Sequence, residues 1–329
     1  MKTSLHLTRS FVLGVTLAFL VMGCRQSKQV ILQREWTANA EYAGDVWASK
    51  IAREEGFRLV VKEGSELLDP VRLVRSGEAH FGVASADRVL QENEGGASLV
   101  IIASATCRTP VVFLSRKQSG IRSPQDFTGK KVGIQAGTNT ELVFEATIRA
   151  NGIDRRGIKV VESGWGIQTF LNGDIDVLGA FDYDETVQLE KRGIEYNVIR
   201  PDDYGVGYVG TVYFTRRTLL NEDPKLLQRF LKWLTLGWQR ALKNPDDALK
   251  LLVAYNAQID GSKERESLVR GAKYFCGENG RLLYSSPERW RSMTKSLTDL
   301  GRLKSFNYDG NIDYSFLEMA LAQLEGKKE

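Results

Sequence analysis

The sequence predicts an α/β protein built as two domains, and three observations carry that prediction. Short apolar runs alternate with amphipathic stretches of helical length, the pattern of βαβ units and mostly parallel sheets. A second alternation of the same kind starts near Ile121, and the first pattern returns near Gly210. About 306 residues remain after the first 23, which is too long for one small core and about right for two domains.

Taken in order, Ile31–Trp36, Phe57–Val61, Phe81–Ala84, Leu99–Ala105 and Val111–Ser115 read as strands. Tyr42–Glu55, Pro70–Ser76 and Asp87–Asn93 read as the helices between them. In the second unit the expected strands are Lys131–Ile134, Ile158–Val161, Ile175–Leu178 and Tyr196–Ile199, with helices at Thr140–Ala150, Ile167–Leu171 and Glu185–Arg192. Arg200–Asp203 breaks the pattern, Gly210–Phe214 is a further strand, and helices dominate from Pro224 onward. Five of the seven prolines follow a capping residue: Asp69-Pro70, Ser123-Pro124, Asp223-Pro224, Asn244-Pro245 and Ser286-Pro287. In each pair the cap side chain satisfies a free backbone N–H and proline loses nothing at the first helical position, so each pair predicts a helix start.

The N-terminus carries an export signal. Lys2 and Arg9 precede the uncharged, mostly apolar run Phe11–Gly23, about thirteen residues, which is short of the ~20 a membrane-spanning helix needs and fits a signal-peptide core. Its ending, Val21-Met22-Gly23-Cys24, resembles a bacterial lipobox, with Met22 where a small residue is commoner. The expectation is a signal peptide over 1–23, a lipidated Cys24 and a polar tether over 24–30. The protein would then be exported, held on the membrane by lipid and exposed on the extracytoplasmic or periplasmic face.

Composition narrows the function further. Hydrophobic content of 42% and charged content of 26% are those of a soluble globular protein. The net charge of +4 includes Lys2 and Arg9, so the chain without its leader carries +2 and shows no footprint for nucleic acid. Cys107 and Cys276 show no metal-ligand spacing; they read either as buried thiols or as a pair. His80 is the single histidine after the leader, which argues against a histidine-based metal site or triad. No metal or other cofactor is expected.

The segment Trp36-Thr37-Ala38-Asn39-Ala40-Glu41-Tyr42-Ala43-Gly44 resembles the W-x-x-N-x-x-[HY]-x-G pattern of type II solute-binding proteins of ABC importers. Within these it is similar to the branch that binds thiamine-pyrimidine precursors and riboflavin, related to sulfonate and taurine binders. Val74–Gly77 with Phe81–Asp87, Ser123–Gly133, Asp203–Val206 and Trp238–Pro245 are similar to later blocks of that family, in the right order. The resemblance implies the periplasmic-binding-protein type II fold, with two crossovers and a ligand cleft. Domain I would be 30–114 plus 209–329, and domain II 115–208. It also implies a small-molecule ligand bound by hinge closure, a permease and an ATPase as partners, a monomer, and no enzymatic activity.

Ligands of open α/β sheets bind beyond the carboxyl ends of strands, near helix N-termini, and this selects four loops. In the first, Trp36 and Tyr42 offer flat faces for a heteroaromatic ring, and Asn39 both donates and accepts. In the second, Ser85 caps a helix and can present backbone amides. In the third, Gln135–Glu141, Thr138 and Asn139 are the candidates; the loop lacks the G-K-[ST] ending of a P-loop. In the fourth, Phe181–Glu185, Asp182 and Glu185 can accept from an amino-pyrimidine. Tyr204 and Tyr208 are candidate lid aromatics at the second crossover, with Trp165 and Gln168 as weaker ones; Trp233 and Trp238 read as packing residues. None of the four loops holds an arginine, which favours a flat heteroaromatic ligand over an anion. Two other functions stand against the importer reading. One is a sensor module without transport. The other is an enzyme like the related thiamine-pyrimidine synthases, whose C-C-C-F-C motif and active-site histidine are not visible here.

Overall fold

The computed structural model describes residues 29–326 other than Glu66, Trp165 and Cys276. The leader 1–23, the expected lipid site Cys24, Trp165 and Cys276 therefore lie outside the described residues.

The strands are β1 (Gln29–Gln33), β2 (Arg58–Lys62), β3 (Phe81–Ser85), β4 (Leu99–Ser104), β5 (Val111–Arg116), β6 (Lys131–Ile134), β7 (Lys159–Glu162), β8 (Val177–Phe181), β9 (Tyr196–Ile199) and β10 (Thr211–Arg216). The helices are α1 (Ala43–Glu54), α2 (Pro70–Ser76), α3 (Ala86–Glu94), α4 (Asn139–Ala150), α5 (Gln168–Asn172), α6 (Glu185–Lys191), α7 (Leu219–Glu222), α8 (Pro224–Lys243), α9 (Pro245–Tyr255), α10 (Gly261–Phe275), α11 (Pro287–Asp299), α12 (Tyr308–Asn311) and α13 (Ser315–Glu325). All five proline-marked starts are observed. Ser123 opens a 3-10 turn with a full capping box, and the other four caps each accept a backbone N–H of their helix. No helix of the described residues is long and apolar enough to cross a membrane.

The strands form two sheets with one plan. The first has the order β2-β1-β3-β10-β4 and the second β7-β6-β8-β5-β9. In each, four of the five strands run in one direction and the fourth in the order, β10 or β5, runs antiparallel to both its neighbours. That fourth strand arrives from the other half of the chain: β5 enters the second sheet directly after β4, and β10 returns to the first after β9. The sheets are thus mixed rather than mostly parallel. A boundary at 114/115 would cut β5, so the first crossover runs through residues 105–110 instead. The structured part also starts earlier than the expected tether end, because Gln29 and Val30 already pair with Arg58 and Leu59.

Burial explains the composition of the strands. β3, β4 and β8 are apolar nearly throughout because helices cover both faces of their sheets. The edge strands β2 (RLVVK) and β7 (KVVE) keep charged ends. The C-terminal helices return to the first sheet: α8 buries Leu227, Phe230, Leu231, Leu234 and Trp238 on one face, and Phe230 stacks on Phe81 at 3.7 Å. α1 and α8 pack backbone to backbone. A Cβ on Gly237 would lie 2.2 Å from the Gly44 carbonyl oxygen, and one on Gly44 would lie 2.3 Å from the Trp238 ring.

Candidate functional site

The parallel strands of both sheets end at the same place. The four loops that follow β1, β3, β6 and β8 meet between the lobes, which makes the line between them the candidate ligand cleft. Two hydrogen bonds cross it. Asn139 Nδ2, in the first turn of α4, donates to Asp87 Oδ1, in the first turn of α3, at 2.8 Å. The Tyr183 hydroxyl, after β8, donates to Glu41 Oε1, before α1. An ionic seam flanks the cleft where α10 lies along the second lobe: Lys263 with Asp184 at 2.8 Å, Arg270 with Glu190 at 2.9 Å, and Lys273 with Asp182 at 2.5 Å.

A buried polar hub fixes the first loop. Arg34, 2% exposed, donates to Asp45 Oδ2 at 2.5 Å and to the Glu41 carbonyl at 2.8 Å. Asp45 also accepts from the Tyr213 hydroxyl, which in turn accepts from Trp238 Nε1. The Arg34 guanidinium lies 3.9 Å from the centre of the Tyr42 ring, and the Tyr42 hydroxyl donates to the Trp36 carbonyl. Burial, the largest single influence, would lower the Arg34 pKa, but Asp45, Tyr42, Tyr213 and Glu41 together raise it above its ordinary value and keep the guanidinium protonated.

Glu35, Glu185 and Asp87 are shifted upward. Burial pushes Glu35 up to about 7; the Ser85 N–H, which donates to its Oε2 at 3.0 Å, and Arg88 oppose the shift, whereas Asp87 and Glu41 add to it. Burial followed by the Asp184 charge pushes Glu185 up to about 7, against the Phe181 N–H bound to its Oε2. Asp87 is raised by burial against its bond from Asn139. The Glu185 shift fixes the sign of a pH effect. A carboxyl whose folded pKa lies above its ordinary value stabilises the fold while protonated, and that stability is lost as pH rises from about 4.5 through about 7. Glu185→Gln is therefore expected to be more stable than the parent at pH 8, by about 3 kcal/mol, and to approach it only near pH 4. Urea unfolding at the two pH values checks this; an equal gain at both would refute it.

The residues singled out in the sequence divide into groups. Trp36 is half-buried beside the cleft; its carbonyl also accepts the Gly64 N–H. Asn39 and Thr138 stand at helix starts: Asn39 Oδ1 accepts the Glu41 N–H, and Thr138 Oγ1 donates to the Gln135 carbonyl. Asn139 stands where the lobes meet, and Glu185 opens α6 with its carboxylate on the Phe181 N–H of its own lobe. Ser85 ends β3 and gives its N–H to Glu35, so that amide is already engaged within the protein.

Three placements differ from expectation. Tyr42 is fully buried between Arg34 and Tyr255, and no face of it is open to the cleft. Asp182 is 3% exposed and accepts from Lys273, from the Tyr274 hydroxyl at 2.7 Å and from Arg200 at 3.3 Å, so its carboxylate serves the crossover region. Tyr204 gives its carbonyl to Asn151 at the C-terminal end of α4, roughly 18 Å of helix away from Asn139. It is not a lid on the cleft.

Among the weaker candidates, Gln168 is exposed and bonded to Asn172, and Tyr208 is fully buried. Trp233 and Trp238 are buried packing residues with their indole N–H groups satisfied. Sequence reading passed over Glu35, Glu41, Asp87 and Tyr183, although each adjoins or lies within one of the four loops. The available signal was position: an ionisable side chain just past the carboxyl end of a buried parallel strand.

The sequence profile of the NMT1/THI5-like family matches residues 53–248. The chain belongs to the NMT1/THI5-like family. Similar curated proteins include the formylaminopyrimidine-binding protein of Halalkalibacterium halodurans, 24% identical over 73% of this chain and 75% of the relative. The riboflavin-binding protein RibY of Chloroflexus aurantiacus is 24% identical over 60% and 58%. The 4-amino-5-hydroxymethyl-2-methylpyrimidine phosphate synthase of Legionella pneumophila is 24% identical over 75% and 80%, so binding proteins and an enzyme stand side by side among the relatives of this NMT1/THI5-like chain. The periplasmic aliphatic sulphonate binding protein SsuA of Escherichia coli shares the fold, with a TM-score of 0.68 and 14% identity over 84% of this chain and 89% of the other.

Proposed function

We propose that this protein is the lipid-anchored, extracytoplasmic solute-binding component of an ABC importer. Its ligand is a small flat nitrogen heteroaromatic of the thiamine-pyrimidine kind. The observation that carries the reading is the pair of bonds across the cleft, Asp87–Asn139 and Glu41–Tyr183. Loops from both lobes meet there, so a ligand seated between them gains contacts from both only when the lobes close. The names of the pyrimidine- and flavin-binding relatives favour a flat ring. The direction of β1 suits an anchored binder: it runs toward the cleft, so the lipid tether joins at the opposite end of the sheet and leaves the cleft free for a permease. The domain units of the proposal are the two lobes, with the protein acting as a monomer.

The synthase reading finds less support. His80 is the one histidine among the described residues; it precedes β3, at the end of the sheet away from the cleft, and its Nδ1 accepts the Ile31 N–H. The cysteine-rich motif of the synthases is also absent.

The test is a thermal-shift and calorimetric screen against an aminopyrimidine thiamine precursor, riboflavin, taurine and nitrate. An aminopyrimidine should raise the melting temperature by mass action and compact the protein in small-angle scattering. A shift by taurine or nitrate alone would refute the ligand class. Trp36→Ala should weaken a stacked ring by about 10- to 100-fold through lost stacking and burial. Unchanged affinity would return Trp36 to a purely structural role.

A further inference from the structure

Where the chain passes between the lobes, the two crossovers and the end of α10 line a cavity of about 190 Å³, far more than one water needs. Arg108 reaches it from the first crossover, Arg200 from the start of the second and Lys273 from α10, beside the carboxylates Asp202 and Asp203. The cleft residues Glu41, Asp87, Asn139 and Tyr183 do not line it. Most of its charges are matched. Asp202 accepts at 3.1 Å from Arg289, a cation outside the cavity wall that also serves Glu278. Lys273 and Arg200 share one carboxylate, Asp182, at 2.5 and 3.3 Å. Asp203 is exposed. The ion pairs around the cavity leave Arg108 out. Its guanidinium lies 5.3 Å from the centre of the Tyr274 ring, its Nη2 donates to the Lys273 carbonyl at 3.4 Å, and its Nε is buried with no hydrogen-bond partner. Arg34 and Arg88 also bury an Nε without a partner, but each holds a carboxylate on its Nη atoms, Asp45 at 2.5 Å and Asp69 at 3.1 Å.

We propose that this cavity is a second ligand site, separate from the cleft, for a small oxyanion of carboxylate or phosphate type held by Arg108, with Arg200 and Lys273 adding charge. A guanidinium presents paired N–H donors in a planar fork that matches two oxygens of either group. The Arg108 fork makes one long bond to a carbonyl and no ion pair, so an anion takes it from no other carboxylate. The Arg200 and Lys273 head groups are each about 40% exposed, which leaves the site open to a solute. Seated there, the oxyanion would tie α10 of the first lobe to both crossovers. The site stands whatever the cleft binds, because the two share no residue.

The test is a thermal-shift and calorimetric titration of the whole protein with inorganic phosphate and with acetate, at an ionic strength held constant with chloride. At least one of the two should raise the melting temperature saturably, with half-saturation at about 1 mM, the level expected of a few charge-assisted hydrogen bonds. A larger response to phosphate identifies the phosphate class, and a larger response to acetate the carboxylate class. In nitrogen NMR spectra the Arg108 Nε–H signal, assigned as the one lost in Arg108→Met and in Arg108→Lys, should move along the same binding curve. Arg108→Met should abolish the response. Arg108→Lys keeps the charge but loses the fork, and should weaken binding by about tenfold; it decides the matter should Arg108→Met not fold. Binding that both variants leave intact, an Arg108 signal that does not move, a response no larger than that to chloride, or no response to either oxyanion overturns the proposal.

Discussion

Arg34→Ala is expected to destabilise the protein by about 3–5 kcal/mol. The Asp45 carboxylate is fully buried and its charge is balanced by Arg34 alone; the Tyr213 hydroxyl supplies a hydrogen bond but no charge. Removing the guanidinium leaves an uncompensated charge in the core of the first lobe, together with the Glu41 carbonyl and the Tyr42 ring face that it serves. Urea unfolding followed by circular dichroism reads the loss, and a cost below about 1 kcal/mol would refute the account. Pairing Arg34→Met with Asp45→Asn removes both charges and should recover much of the stability, because a neutral buried pair of similar volume avoids the desolvation penalty. The paired variant separates stability from function. Without the guanidinium under Tyr42, the Trp36 carbonyl loses its fixed support, so ligand affinity should remain low even where the fold has recovered.

Gly237→Ala is expected to cost about 3 kcal/mol, at the upper end for overpacking of a core. The added Cβ would fall 2.2 Å from the Gly44 carbonyl oxygen and 2.8 Å from the Ala48 amide nitrogen. Both are backbone atoms of α1 and have no rotamer through which to withdraw. α8 must move away from α1, and α1 begins where the first cleft loop ends, so the displacement reaches Glu41 and the bond to Tyr183. The expected result is a lowered urea midpoint together with faster ligand release. A midpoint within experimental error of the parent would show that the two helices can part without loss. The same contact gives a physical reason for glycine in the W-x-x-N-x-x-[HY]-x-G segment. Gly44 is required because the Trp238 ring lies where its side chain would be.

Much of the fold was legible because local rules were strong. A proline at the first helical position beside a capping side chain marks a helix start with little dependence on the rest of the chain, and all five such pairs mark one. Strand existence followed from apolar runs, and most boundaries lie within one to three residues. The partition between lobes was less legible. β5 reads like its neighbour β4 in composition, and which sheet a buried strand joins is decided by pairing partners far away in sequence.

The cleft loops were found for a similar reason. The rule that ligands sit past the carboxyl ends of parallel strands needs only the strand order along the chain. It says nothing about which side chain of a loop faces outward. Tyr42 and Trp36 are equally good aromatic candidates in sequence, yet Arg34 draws Tyr42 into the core through its ring face while Trp36 stays half-exposed. Asp182 and Asp184 differ by two positions in one acidic loop. The first turns to Lys273, Tyr274 and Arg200, and the second to Lys263 on the flank of the cleft.

The sequence by itself therefore determined the α/β class, the helix starts, the membership in the NMT1/THI5-like family and the four loops at the carboxyl ends of the parallel strands. Each of these rests on short-range chemistry: capping, periodicity, and the residues a tight turn permits. Only the tertiary structure decided that the lobes exchange a strand each way, and that Asn139 and Tyr183 cross the cleft to meet Asp87 and Glu41. Those facts depend on residues up to about 140 positions apart, as Glu41 and Tyr183 are, coming within hydrogen-bond distance. A carboxylate's burial, and so its charge near neutral pH, exists only once that packing is complete.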